Sequence, residues 1–182
     1  VTFTYTTNVG YQFSQYSVNN TNIGNPYTVT ENTTIVAEFL PLTYIITYNL
    51  NGNSDARIDV TSKKVTFDAA VGTFAKPFSL GYTFQGWSTS STGSANLSDA
   101  SGACKTLANY IDSNENWVKA SNITAYAIWV KNTYTLKLNA NGGTLATSTE
   151  ESYTQQYGTS ITIADPTRTG YTFAGWVATK TI

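Results

Sequence analysis

The sequence predicts a mainly β (α+β) protein assembled from small repeated units, and three observations carry that expectation. The first is composition. Of 182 residues, 14% are aromatic, with 13 Tyr, 8 Phe and 4 Trp, and only 12% are charged. That is about half the usual charged share of roughly 25%. Thr, Asn and Ser fill the gap and Met is absent. Tyr, Thr and Val favour pleated strands, whereas Asn, Gly and Ser favour turns. The second is alternation. Tyr44, Ile46 and Tyr48 share one face of a period-two pattern, and Ile45, Thr47 and Asn49 share the other. The third is repetition. GYTFQGW at Gly81–Trp87 returns as GYTFAGW at Gly170–Trp176, and a worn copy, GYQFSQY, stands at Gly10–Tyr16.

Two alignments define the repeating unit. ITIADPTRTGYTFAGW (161–176) lies over GTFAKPFSLGYTFQGW (72–87), with Pro166 and Pro77 four residues before the glycine and Thr6 there in the worn copy. NTTIVAEFLPLTYIITYNLNGN (32–53) lies over NITAYAIWVKNTYTLKLNANGG (122–143) at a constant offset of 90, so Phe39 meets Trp129 and Asn51-Gly52 meets Asn141-Gly142. A unit therefore reads as an opening strand ending in Asn-Gly, a variable segment, a proline, the heptad, a second variable segment and a closing strand. Three domains are expected: 1–40, a partial divergent repeat; 41–130, complete; and 131–182, partial, lacking its closing strand. The middle one carries an insertion at about 89–115.

Each element has a local reason. Opening strands alternate, as at Tyr134, Leu136 and Leu138 against Thr135, Lys137 and Asn139. Asn-Gly tolerates two positive φ angles and ends the strand in a turn. In the heptad, Tyr82 and Phe84 share a face, and a bulge at Gly86 would bring Trp87 round to join them. The heptad thus reads as a core-forming strand, against the rival of an exposed stacking platform for sugars. Gln15 in place of Gly86 in the worn copy implies that the bulge is dispensable. The closing strand has Ala125, Ala127 and Trp129 opposite Tyr126 and Ile128, apolar on both faces as a central strand requires. In the insertion, the Ser/Gly/Asn-rich start reads as loop, and CKTLANYI (104–111) reads as one short helix.

Candidate chemistry is sparse. Net charge is −1, from ten basic and eleven acidic residues spread along the chain, which offers no basic patch for nucleic acid or anionic lipid. No apolar run is long enough to span a membrane. The chain opens at Val1 without a methionine and reads as an excised fragment, so its missing targeting signal carries no weight. There is no His at all, which removes Ser-His-Asp triads, His-assisted Cys nucleophiles and most zinc sites. Cys104 is expected to be a buried or half-buried structural thiol. DSNEN (112–116) opens like a calcium loop, with Asp112, Asn114 and Asn116, but Trp117 stands where Gly is needed and Ile123 where the bidentate Glu belongs. Glu150 and Glu151 are adjacent, so on a strand they diverge, and Asp99, Asp112 and Glu115 have no visible partner for a carboxylate pair. Asn19, Asn32, Asn96 and Asn122 begin glycosylation triplets of the frequency expected by chance. A Lys–Asn crosslink would need Lys63, Lys64 or Lys137 buried beside Asn and an acid. No catalytic, cofactor-binding or metal residue is assigned, and no cofactor.

The paired motifs ITYNLNG…P…GYTFQGW…ITAYAIW, and YTLKLNANGGT…ITIADPTRTGYTFAGW after them, resemble the Listeria-Bacteroides repeat family, the internalin-type B-repeats. The first unit is similar to a divergent bacterial repeat. The resemblance implies tandem β-grasp-like domains in extracellular proteins, secreted or held at the bacterial cell surface, acting as stalks, spacers or adhesion modules without catalytic residues. The short connection Val130-Lys131-Asn132 favours an elongated, semi-rigid rod. Expected partners are neighbouring repeats of the chain and a host or matrix protein or a glycan, with no nucleic acid and no membrane insertion. The alternative is a glycan- or host-protein-binding module that uses the 89–115 insertion, which an exposed aromatic cluster beside that insertion would favour.

Overall fold

The computed structural model describes residues 1–146 and 148–179. Among them there are strands and turns and no α-helix, so the protein is mainly β. It divides into two compact units, Val1–Leu80 with Phe84–Val130, and Gly81–Thr83 with Lys131–Ile182.

The first unit holds two sheets. The smaller is β2-β1-β3, with β1 Tyr11–Val18, β2 Thr21–Ile23 and β3 Val36–Pro41, both pairings antiparallel. Asn19 and Asn20 join β1 to β2 with φ of 49° and 63°, the positive pair that a two-residue hairpin requires. One face carries rings: Tyr5 stacks on Phe13 with centroids 4.1 Å apart, and Phe13 lies 4.8 Å from Tyr16. The register of β1 against β3 shifts between Phe13 and Gln15, which leaves Ser14 as the extra residue. The worn heptad therefore keeps a bulge, contrary to the expectation from Gln15. A bulge of this type places its residues at negative φ and needs no glycine.

The larger sheet has the order β5-β4-β7-β6, with β4 Thr43–Asn49, β5 Ser62–Thr66, β6 Tyr82–Ser88 and β7 Ile123–Lys131. β4 and β7 run parallel through its centre, Ile46 opposite Ile123 and Asn49 opposite Tyr126. The alternation of β4 is met: Ile46 and Tyr48 are buried and Ile45, Thr47 and Asn49 are exposed. Ala125 and Ala127 of β7 are wholly buried, as befits a strand with neighbours on both sides. Asn51 and Gly52 turn the chain after β4 with φ of 59° and 75°.

The insertion departs from the sequence reading. Residues 104–111 form no helix; they fold as a tight turn in which Ile111 and Tyr110 donate backbone N–H groups to the Leu107 carbonyl and Asn109 sits at φ 67°. An eight-residue segment gains too few helical bonds to offset nucleation, and here tertiary contact decides. Leu97, Ile111 and Trp117 enter the core at 0–1% exposure, against Phe74, Trp87 and Ile46. The Ser/Gly/Asn-rich start near 89–96 is the polar surface loop expected.

In the second unit, β8 Thr133–Asn139 and β9 Glu150–Gln156 form a two-stranded antiparallel sheet. Asn141 and Gly142 repeat the positive-φ turn, at 47° and 84°. The heptad at 170–176 forms no strand, which corrects the expectation that every copy is one. Among the described residues no strand lies beside it, and a strand without a hydrogen-bonded neighbour leaves its backbone groups to water. The opening strand feels the same lack: Leu138 is buried, but Tyr134 and Leu136 are 53% and 41% exposed.

Candidate functional site

The heptad is the feature of the sequence that most resembles a binding motif, and the middle repeat shows what it does. The side chain of Trp87 is fully buried. It stacks on Tyr48 at 4.4 Å, meets Phe84 edge-on at 5.5 Å, and its indole Nε1 donates to the Ala75 carbonyl at 2.7 Å. Gly86 sits at φ 128°, and a methyl there would coincide with the Ser98 carbonyl oxygen. The glycine therefore does two things: it carries the kink, and it lets residues 95–99 of the insertion lie directly against the strand. The Trp87 carbonyl then accepts from Leu97 N at 2.9 Å, and Trp87 N donates to the buried Ser98 Oγ at 3.1 Å. Phe84 and Trp87 lie in one core, as the sequence predicted.

The third copy is different. Phe173 and Trp176 keep an edge-to-face contact at 5.5 Å, yet Trp176 is only partly buried and its Nε1 is shielded without a hydrogen-bond partner. A cleft of about 580 Å³ opens beside it, lined by Asn141, Arg168, Tyr171, Phe173 and Trp176 among others. Arg168 lies over the Tyr171 ring, 4.1 Å from its centroid. The cleft has the rings of a sugar platform, with Arg168 held by the Asn141 carbonyl at 3.0 Å, and it marks where the middle repeat has packed core.

The other candidates resolve into structural roles. Cys104 is half-buried against the core, and burial first, then the negative charge of Glu115, pushes its thiol up from the ordinary value. Asp112 uses Oδ1 to accept from Asn114 N and Asn116 N at 2.9 and 2.8 Å, the hydrogen bonding of a capped turn. Asp99 does the same for Ser101 and Ala103, and the Ser101 hydroxyl holds its carboxyl below the usual range. Glu150 and Glu151 lie opposite Asn139 and Leu138, on opposite faces of β9. Glu150 accepts from Asn139 and Glu151 from the Tyr153 hydroxyl, which raises the Tyr153 phenol. Lys63 gives its Nζ to the Thr73 carbonyl at 3.0 Å, while Lys64 and Lys137 are exposed. Asn19, Asn32 and Asn96 lie in turns and loops, and Asn122 accepts the Ile45 N–H through its side-chain oxygen at 2.8 Å. Among the described residues, no three His, Cys, Asp or Glu side chains gather to hold a metal.

Sequence reasoning missed two things. Asn51 does more than turn: its amide donates to the carbonyls of Ser91 and Ala127 at 2.8 and 3.1 Å, tying the turn to the insertion and the closing strand. Trp117 registered only as the residue that spoils a calcium loop, yet it is among the most buried side chains. No local signal marks either role.

A family model described as the Listeria-Bacteroides repeat domain matches residues 44–110 and 134–182, more than half of the chain. The chain belongs to the Listeria-Bacteroides repeat domain family. The two matched stretches start at Tyr44 and Tyr134, in the two opening strands, and each contains one heptad. Residues 1–43, with the worn copy, lie outside the match. No curated protein and no solved structure matches the chain significantly. Within this Listeria-Bacteroides repeat segment the heptad is packed core at Phe84 and Trp87 and only partly buried at Phe173 and Trp176.

Proposed function

We propose that this is a non-catalytic segment of an extracellular bacterial protein, secreted or held at the cell surface, in which tandem β-grasp-like repeats act as a stalk or spacer or serve adhesion. One observation carries the reading. Phe84 and Trp87 of the heptad, Leu97 and Ile111 of the insertion and Trp117 just beyond it are spent inside the middle repeat, all at 5% exposure or less. A repeat that commits its motif to its own core is built to stand, not to grip. The central parallel pair β4–β7, flanked by β5 and β6, supports a β-grasp-like core. Among the described residues no helix is long and apolar enough to cross a membrane.

The rival reading, a ligand site on the 89–115 insertion, called for an exposed aromatic cluster there. The one aromatic residue in that stretch is Tyr110, half-buried with its ring edge toward Trp117 and Lys119 5.1 Å from its centroid. Tryptophan emission with iodide quenching, across a panel of glycans and host-matrix proteins, tests the proposal. Blue-shifted emission from Trp87 and Trp117 that resists iodide and ignores every ligand is the expected result. Quenchable emission that a ligand protects would replace the spacer with a binding module.

A further inference from the structure

The opening Gly-Tyr of the heptad has a role that its core residues do not explain. All three copies enter by the same turn, with the glycine at φ 87° (Gly10), 76° (Gly81) and 79° (Gly170). In the first unit, the Gly10 carbonyl accepts from Leu42 N at 2.8 Å, and the Leu42 carbonyl accepts from Phe67 N at 2.8 Å. The Phe67 ring then lies flat over Gly10, where a methyl would fall inside the ring. Tyr11 meets that ring edge-on at 5.6 Å and 75°, and its hydroxyl donates to Asp68 at 2.8 Å. Gly10 and Tyr11 belong to the first repeat; Leu42 and Phe67 belong to the second.

The arrangement recurs within the second unit. The Gly81 carbonyl accepts from Asn132 N at 2.9 Å, and the Asn132 carbonyl accepts from Tyr157 N at 2.8 Å. The Tyr157 ring covers Gly81, again leaving no space for a methyl, and meets Tyr82 edge-on at 5.8 Å and 70°. Asn132 and Tyr157 follow Leu42 and Phe67 at the repeat offset of 90. Two independent copies thus share a bare glycine, a two-step ladder through a linker residue and an aromatic cap.

From this we infer that the Gly-Tyr of each heptad is a docking seat for the repeat that follows it. The occupant is the aromatic residue just past that repeat's second strand, and the linker residue is the hydrogen-bonded bridge. The glycine is required because the ring takes the space of its side chain. The heptad then has two halves: Gly-Tyr joins, and Phe-x-Gly-Trp packs.

Gly170 supplies a control. It has the same positive φ, but nothing among the described residues lies within 4 Å of the methyl position, and Tyr171 is 67% exposed. Alanine at any of the three glycines incurs the same backbone strain; only at Gly10 and Gly81 does it also evict a ring. The test is amide hydrogen exchange, read by NMR on the full chain, for wild type, Gly10→Ala, Gly81→Ala and Gly170→Ala. Gly10→Ala should speed exchange at Leu42 and Phe67 at least tenfold and leave Ile46 and Ala125 unchanged. Gly81→Ala should do so at Asn132 and Tyr157, and Gly170→Ala at none of the four. Phe67→Ala and Tyr157→Ala, which empty the seats without straining a turn, should release the bridge amides of Leu42 and Asn132. Unchanged protection in the two ring-evicting variants, or equal release by Gly170→Ala, overturns the seat. Tryptophan quenching reads none of these amides, so the spacer reading stands or falls separately.

Discussion

Trp87 and Trp176 occupy the same place in two heptads that differ at one residue, and the structure gives them different worth. Replacing Trp87 with Ala removes a fully buried side chain together with its stack on Tyr48 and its edge contact with Phe84. Truncating a buried Trp costs about 3–5 kcal/mol through lost transfer energy and the cavity left behind. Trp87→Phe separates the polar part. It keeps a ring but leaves the Ala75 carbonyl without the indole donor, a loss of about 1–3 kcal/mol. Trp176 is half-buried beside an open cleft, and its Nε1 has no hydrogen-bond partner among the described residues. Trp176→Ala should therefore cost about 1 kcal/mol or less. The assay is urea unfolding followed by far-UV circular dichroism, with Trp117 emission as a local probe of the middle repeat. At about 4–8 °C per kcal/mol for a domain of this size, Trp87→Ala should also lower that repeat's melting point by more than about 12 °C. If Trp87→Ala proves no more damaging than Trp176→Ala, the heptad is not core material in the middle repeat, and the central argument fails.

Three other outcomes follow from the same geometry. Gly86→Ala should destabilise the middle repeat by about 3 kcal/mol or more, because the methyl meets the Ser98 carbonyl and the φ of 128° is hostile to alanine; Gly175→Ala, with open space around it, should cost about 1–2 kcal/mol in its own unit, and equal losses in both would remove the close-approach argument. Cys104 should react with a disulfide reagent more slowly than a free thiol at pH 8, since burial and Glu115 raise its pKa and the thiolate is the reactive form; Glu115→Gln should speed the reaction, and full-rate labelling of the unmodified protein would refute the environment described. Tyr11 should titrate above the ordinary value of 10.0, first because its hydroxyl donates to Asp68. A raised folded-state value means that the contact's stabilisation is fully present below pH 10 and is lost as pH rises through the folded value. Asp68→Asn should bring the Tyr11 titration down in ring-carbon NMR shifts, and an unmoved titration would show that the hydrogen bond does not form.

Several features were legible in the residues alone because they depend on short-range chemistry. Alternation in β4 assigns Ile46 and Tyr48 inward, and Asn51-Gly52 and Asn141-Gly142 turn where two tolerant residues stand together. The burial of Phe84 and Trp87 was legible from their spacing around one glycine, Gly86, whose φ is 128°, and the apolar faces of β7 marked a central strand. The family followed from two motifs in register. The absence of His closes the His-dependent catalytic schemes to this chain.

Tertiary structure decided the rest, and the reason is that a β-strand completes its hydrogen bonds only through a neighbour. Six of seven residues are shared by Gly81–Trp87 and Gly170–Trp176, yet one is a strand and the other is not, because among the described residues only the first lies against a closing strand. CKTLANYI reads as a helix in isolation and becomes a turn that delivers Ile111 to the core. Trp117 counts locally only as the residue that spoils a calcium loop, and long-range contact buries it. The rings over Gly10 and Gly81 come from Phe67 and Tyr157, 57 and 76 residues further along the chain. What local propensity and pattern determine, the sequence shows unaided; what depends on which distant segment arrives alongside, only the folded chain reveals.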